Sequence, residues 1–216
     1  MAPIGIPELK AIVGMFARSA AASVSKVSYE RRQRRAGNPR AESEVKGPKT
    51  KEAHMAEKKL NNLFLDTLKD IYFAERQILK NLPKMAKAAR SPELKNAFLK
   101  HRDQTEQHVE RLQEVFELVG KRAQAKTCEA IKGILEEGEE IMDEYGASEA
   151  LDAGLLAAAQ AVEHYEMSRY GTLKTWAGQL GMKEAVGILD ETLQEEKETD
   201  ALLSSLAQSA VNREAA

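Results

Sequence analysis

A chain of 216 residues with 31% charged side chains, a net charge of −2 and one cysteine, Cys128, has room for one domain with a sizeable core and excludes an internal disulfide. No apolar run reaches the ~18–20 residues that a membrane helix needs, and abundant Ala, Leu, Glu and Lys with only 5% aromatics give a helix-forming composition. The charge is unevenly divided: residues 1–54 carry 11 Lys and Arg against 5 Asp and Glu, and the remainder carries 21 against 29, so a basic extension precedes an acidic body.

The extension opens with Ile4–Ala22, apolar in stretches but interrupted by Pro7, Glu8, Lys10 and Arg18. That pattern is a poor secretory signal. It shares Ala, Ser and trailing arginines with transit peptides, but the expectation is the tail of a bacterial cytoplasmic protein or a reading frame drawn too far upstream of Met55. Residues Glu30–His54 have the composition of a linker, with Gly37, Pro39, Gly47 and Pro48 and few apolar side chains to offset ordering entropy, so disorder is expected. Arg31, Arg32, Arg34 and Arg35 would attract nucleic acid or another anionic surface. No aromatic platform or nucleic-acid fold accompanies them, and a solvated tail is the simpler expectation. Met55 is read as the start of a folded domain that runs to about residue 212.

Beyond Met55 the apolar period is helical. The first helix carries Leu60, Phe64, Leu68, Ile71, Ile78, Leu82 and Met85, with Pro83 expected to kink it or strain its last turns. Ser91 and Pro92 cap and open a second helix, with Phe98, Thr105, Val109, Leu112, Phe116 and Val119 on one stripe and Gly120 at its end. A shorter helix spans about Cys128–Tyr145 and stops at Gly146. Ser148 is expected to cap a fourth, which runs to about Leu180 with Leu155, Ala159, Val162, Leu173 and Trp176 inside. After Gly181 the fifth carries Val186, Leu189, Leu193, Leu203 and Leu206. Two antiparallel hairpins joined by a long crossover containing an extra short helix make an all-α, ferritin-like four-helix bundle.

Acids interrupt these stripes. Glu75 lies between Ile71 and Ile78, Glu163 and Glu166 follow Val162, and Glu196 and Asp200 lie between Leu193 and Leu203. On the second helix Asp103 and Glu106 form an i, i+3 pair on nearly one face. A buried carboxylate costs several kcal/mol unless it is paired or holds a metal. Glu75 and Glu106 lie equally far from the Arg90–Pro92 turn, and Glu163 and Glu196 equally far from the Leu180–Gly181 turn. Both pairs fall about 15–17 residues from their turns, roughly 23–25 Å along the bundle. Four helices are therefore expected to present oxygen ligands at one level, where they hold hard ions such as Fe or Mn, or else form a buried polar network. His101 and His108 lie seven apart on one face; His108 could serve as a ligand or hydrogen-bond to one, but an exposed or helix-packing histidine is the preferred expectation. Cys128 is read as a small buried hydrophobe.

The stretches LFLDTLKDIYFAERQIL (63–79), SPEL (91–94), ERLQEVFELVGK (110–121), AAAQAVEHYEMSRYGTLKTWA (157–177) and TLQEEKETD (192–200) resemble the YciE/YciF group of bacterial ferritin-like proteins. The resemblance covers about Met55–Ala207 and is most specific in the EHYE…YGTL block. It implies a rubrerythrin-like bundle, dimeric, in a bacterial cytoplasm and associated with stress. By analogy, Glu75, Glu163, Glu196 and the Asp103/Glu106 pair map to the ligand positions of a di-metal centre. The chain departs from the usual pattern in having no Glu-x-x-His; some relatives look to have His where this one has Glu106. Two functions follow as expectations. One is a di-iron or di-manganese carboxylate protein handling peroxide, oxygen or iron. The other is a metal-free dimeric structural or interaction protein of the stress response, whose basic tail contacts a partner or an anionic surface.

Overall fold

Five long α-helices follow one another in the computed structural model, which describes residues 58–215; the basic extension 1–54 and its arginine cluster lie outside them. They are α1 (Leu60–Ala88), α2 (Pro92–Leu118), α3 (Glu129–Tyr145), α4 (Leu151–Gln179) and α5 (Lys183–Leu206). A π-helical turn, Ala207–Val211, and a last helical turn, Asn212–Glu214, complete the chain. No strand occurs among the described residues, and none of their helices is long and apolar enough to cross a membrane.

The turns are set by a few residues. Ser91 Oγ accepts the Leu94 N–H at 3.2 Å and Pro92 occupies the first helical position, where its missing N–H costs nothing. Gly120 and Gly181 take φ of +65° and +77° at the ends of α2 and α4, the left-handed conformation that favours glycine there. Pro83 does not end α1. The helix continues to Ala88, and the ring, exposed to solvent, deprives only the Leu79 carbonyl of its helical donor. The expected Ser148 cap is displaced: α4 begins at Leu151, and Ser148 Oγ instead accepts the Ala150 N–H within the turn before it.

α1 pairs with α2 and α4 with α5; α2 then meets α5, and α1 meets α4, closing a four-helix bundle. α3 is the crossover, lying along α4 and touching α1. Both ends of the core are aliphatic and aromatic: Phe64, Leu68, Leu112 and Phe116 at one, Leu82, Phe98, Leu155 and Leu203 at the other, all nearly inaccessible. Asp152 at the start of α4 accepts the backbone N–H groups of Arg90 (2.9 Å) and Ser91 (2.6 Å), tying the α1–α2 turn to the second hairpin. Cys128 is buried immediately before α3, with its Sγ 3.2 Å from the Tyr165 hydroxyl.

Candidate metal centre

Midway along the bundle the apolar core gives way to charge. α1 contributes Glu75, α2 His101 and His108, α4 Glu163 and Glu166, and α5 Glu196, and none of the six is more than 3% exposed. Helical periodicity places them there. Glu75 sits one turn from Ile71 and from Ile78 on the buried face of α1, and Glu196 one turn after Leu193 on that of α5. On α2 the buried positions Leu94, Phe98, His101, Thr105, His108 and Leu112 advance in steps of three and four.

The donors form two groups that share one residue. Atoms of His101, Glu163, Glu166 and Glu196 lie within 4.8 Å of one another, and so do atoms of Glu75, His108 and Glu196. In the first group His101 Nε2 is 3.3 Å from Glu163 Oε1 and 3.9 Å from Glu166 Oε2. In the second, His108 Nδ1 is 3.1 Å from Glu196 Oε1 and 3.6 Å from Glu75 Oε1. The Tyr170 hydroxyl donates to Glu75 Oε1. The far nitrogen of His108, Nε2, donates to Glu195 Oε2 at 2.8 Å, and Arg111 bridges Glu195 to the exposed Glu191.

Burial dominates the electrostatics. It pushes the Glu163 and Glu166 carboxyls well above the carboxylate range, and the neighbouring Glu196 adds to the effect. Glu75 is raised by burial too, against the opposing pull of His108. Burial lowers the His101 imidazole, leaving it neutral at pH 7. The same desolvation acts on His108, but the facing Glu75 and Glu196 carboxylates outweigh it and hold that ring up to about 11.

Ten buried side-chain nitrogen and oxygen atoms among the described residues lack a hydrogen-bond partner, and nine of them belong to these six residues. Buried polar atoms are almost always paired. Orphans concentrated in one cluster of convergent carboxylates and imidazoles are what a set of metal ligands looks like without its ion. The two groups could hold metal ions, and their chemistry, four carboxylates with two imidazoles, fits Fe(II) or Mn(II).

Of the residues that the sequence singled out, Glu75, Glu163, Glu166 and Glu196 come together here. Asp103, Glu106 and Asp200 do not. Asp103 is exposed and bonds Arg102 at 2.5 Å, and Glu106 is exposed as well. Asp200 lies at the rim, accepting from Gln160 at 3.0 Å and facing His164 Nε2 at 3.2 Å. Distance from a turn fixes a residue's height but not its direction. Glu106 is at nearly the same height as His108, yet two residues turn a helix by about 200°. The histidines read as packing side chains occupy the inward positions instead, and the stripe through Phe98, Thr105 and Leu112 already carried that signal.

The family described as a domain of unknown function (DUF892) matches residues 59–216. The chain belongs to this family. Protein YciF of Escherichia coli (strain K12) is 41% identical over 159 residues, which span 73% of this chain and 96% of that protein. The crystal structure of the E. coli stress protein YciF superposes with a TM-score of 0.69, covering 72% of this chain and 99% of the other. YcfI of Rhodopseudomonas palustris, a candidate structural protein, is 39% identical with a TM-score of 0.67, covering 70% of this chain and 96% of its own.

Proposed function

We propose that this chain is a di-metal protein whose centre would hold two Fe or Mn ions, with Glu196 common to both groups of donors, in a stress-related role that involves oxygen, peroxide or iron. The observation that carries this reading is the concentration of unpartnered buried donors in one six-residue cluster. His101 with Glu163 and Glu166 would hold one ion, and Glu75 with His108 the other. When bound, such a pair supplies Lewis acidity and open positions for a small oxygen ligand. The residues around it orient the donors: Glu195 holds His108 from its far nitrogen, and Tyr170 holds Glu75. The stress role comes from the E. coli relative, described as a stress protein; that the chain is a homodimer in a bacterial cytoplasm is a separate part of the proposal. Elemental analysis of protein purified without chelator tests the centre. About two Fe or Mn per chain is the expected result, and none after anaerobic reconstitution with Fe(II) would overturn it.

A second reading has one specific observation in its favour. His108 faces three carboxylates, Glu75, Glu195 and Glu196. As an imidazolium it would compensate part of the buried charge with no ion present, and the chain would then be a metal-free structural protein. Full stability and no metal content under every loading condition would favour it.

A further inference from the structure

The body of the chain is acidic, yet one cleft on it carries only positive charge. The cleft has a volume of about 350 Å³ and lies between the first half of α1 and the loop after α2, lined by Leu65, Lys69, Lys121, Arg122, Ala123 and Gln124. Turn chemistry fixes that loop. Gly120, at φ +65°, takes the chain out of α2, and the Lys121 N–H donates back to the Phe116 carbonyl at 2.9 Å. Further on, the Lys126 N–H donates to the Lys69 carbonyl at 3.1 Å, so the loop is anchored on α2 at one end and on α1 at the other.

The cations of the cleft are not spent on the protein. Arginines elsewhere are engaged: Arg76 and Arg169 lie over the rings of Tyr72 and Tyr165, Arg90 donates to the Gly146 carbonyl, and Arg102 and Arg111 pair with acids. Lys69, Lys121 and Arg122 make no ion pair or side-chain hydrogen bond among the described residues. The nearby acids of α1 are already matched, Asp66 facing Lys58 at 4.0 Å and Asp70 facing Lys126 at 3.5 Å. Among the described residues the amides of Arg122, Ala123 and Gln124 donate to no protein group either. Like charges gathered in one cleft repel, and a bound anion relieves that repulsion.

Size and lining select the anion. The volume falls at the low end of the ~300–1,000 Å³ typical of small-molecule pockets. No aromatic side chain lines the cleft, so it offers no platform on which the bases of a nucleic acid could stack. A phosphate monoester carries close to two negative charges near neutral pH and accepts from arginine, lysine and backbone amides together, so it meets three cations better than a single carboxylate does. The partly buried Leu65 and the Ala123 methyl add apolar surface for the organic part of such a molecule.

We infer that this cleft binds a small organic phosphate monoester, with Lys69, Lys121 and Arg122 around the phosphoryl group and Leu65 and Ala123 against its organic part. The assignment does not depend on the metal reading above.

Titration calorimetry of the full chain with ribose 5-phosphate tests it, at low ionic strength and with chelator present so that bound metal plays no part. Ribose 5-phosphate should bind about tenfold more tightly than inorganic phosphate, and added salt should weaken it. Lys121→Gln combined with Arg122→Gln should weaken binding about tenfold or more at unchanged helical circular dichroism, both side chains being exposed. Lys95→Gln, an exposed lysine in the first turn of α2, should bind as the parent does. No binding by the parent would overturn the inference. So would inorganic phosphate binding as tightly as ribose 5-phosphate, or an equal loss in Lys95→Gln, which would reduce the effect to overall charge.

Discussion

His108 Nδ1 lies 3.1 Å from Oε1 of Glu196, the residue that both groups of donors share. Its other nitrogen is committed to Glu195, so Nδ1 has two alternatives: to carry a proton toward Glu196 and Glu75, or to lose it and bind a metal ion. On the metal reading, a loaded protein would therefore differ from the metal-free one by protons as well as by ions.

This linkage gives a pH dependence. Glu163 and Glu166 are raised in the folded protein, so the stability they contribute is full below their unfolded value, 4.5, and is lost as pH rises through their folded values. His108, raised to about 11, follows the same direction at higher pH. His101 is lowered, and it destabilises the fold only as pH falls through its unfolded value, 6.5. Above about pH 7, where His101 is neutral in both states, the metal-free melting temperature should fall as pH rises. With Mn(II) added it should hold or rise, because deprotonated donors bind the ion better. Differential scanning calorimetry across pH 7–9, with and without Mn(II), decides the matter; parallel curves would count against a metal at these residues.

The α2 donors can be separated by substitution. His101→Gln and His108→Gln should each lower the bound Fe or Mn by about one ion per chain, since each removes the one imidazole of its group. Asp103→Asn combined with Glu106→Gln should leave metal content unchanged and move stability by less than about 0.5 kcal/mol, both side chains being exposed. Retention of both ions in the histidine variants, with loss in the Asp103/Glu106 variant, would reverse the geometry described here.

How much of this was legible in the sequence follows from what each signal encodes. Apolar steps of three and four gave the helices, because burial on one face imposes that period. Ser91-Pro92, Gly120 and Gly181 gave the turns, because only certain residues suit a cap or a positive φ. Glu75, Glu163, Glu166 and Glu196 were legible because an acid inside an apolar stripe has no cheap structural role. His108 is legible only as one alternative, because histidine is equally at home on a surface, in a core or on a metal, and Asp103 and Glu106 mislead because height along a helix does not fix rotation about it. The basic cleft depends on how the loop after α2 lies against α1, and no periodicity records that.

Residues 1–54 are expected to be dispensable for the bundle. The family match starts at residue 59 and α1 at Leu60, and residues 30–54 just before them are rich in Gly, Pro and charge and poor in apolar side chains. A chain starting at Met55 should keep the helical circular dichroism and the cooperative melt of the full protein. A melting temperature lower by more than a few degrees would show that the extension contributes to the fold.

Self-association has a surface to use. Leu63 is half exposed, and α3 leaves Ile134, Leu135, Ile141 and Met142 only partly covered by the bundle. Apolar faces of this kind are commonly shared between copies. Light scattering at micromolar concentration should give a dimer mass, and Leu63→Glu or Met142→Glu should reduce it toward the monomer without loss of helicity. A monomer mass for the unsubstituted chain would rule this out.

The sharpest separation of the two functional readings comes from replacing Glu75 and Glu163 together by Gln. Both carboxyls are raised by burial and by neighbouring acids, so in the metal-free protein an amide of the same shape takes no charge into the core and removes repulsion with Glu196 and Glu166. Gln at position 75 can still accept from Tyr170, and His108 keeps Glu195 and Glu196 as neighbours. The metal-free variant should therefore melt at or above the parent. In the loaded protein the same change takes a charged oxygen donor from each ion and strands the carboxylates that remain. It should lower metal content and cost several kcal/mol of the loaded form's stability. Melting curves recorded with excess Mn(II) and with chelator give both halves of the comparison. A variant that gains stability in both conditions, with metal content equal to the parent's, would eliminate the centre; a gain with chelator and a loss with Mn(II) is the outcome that a di-metal site requires.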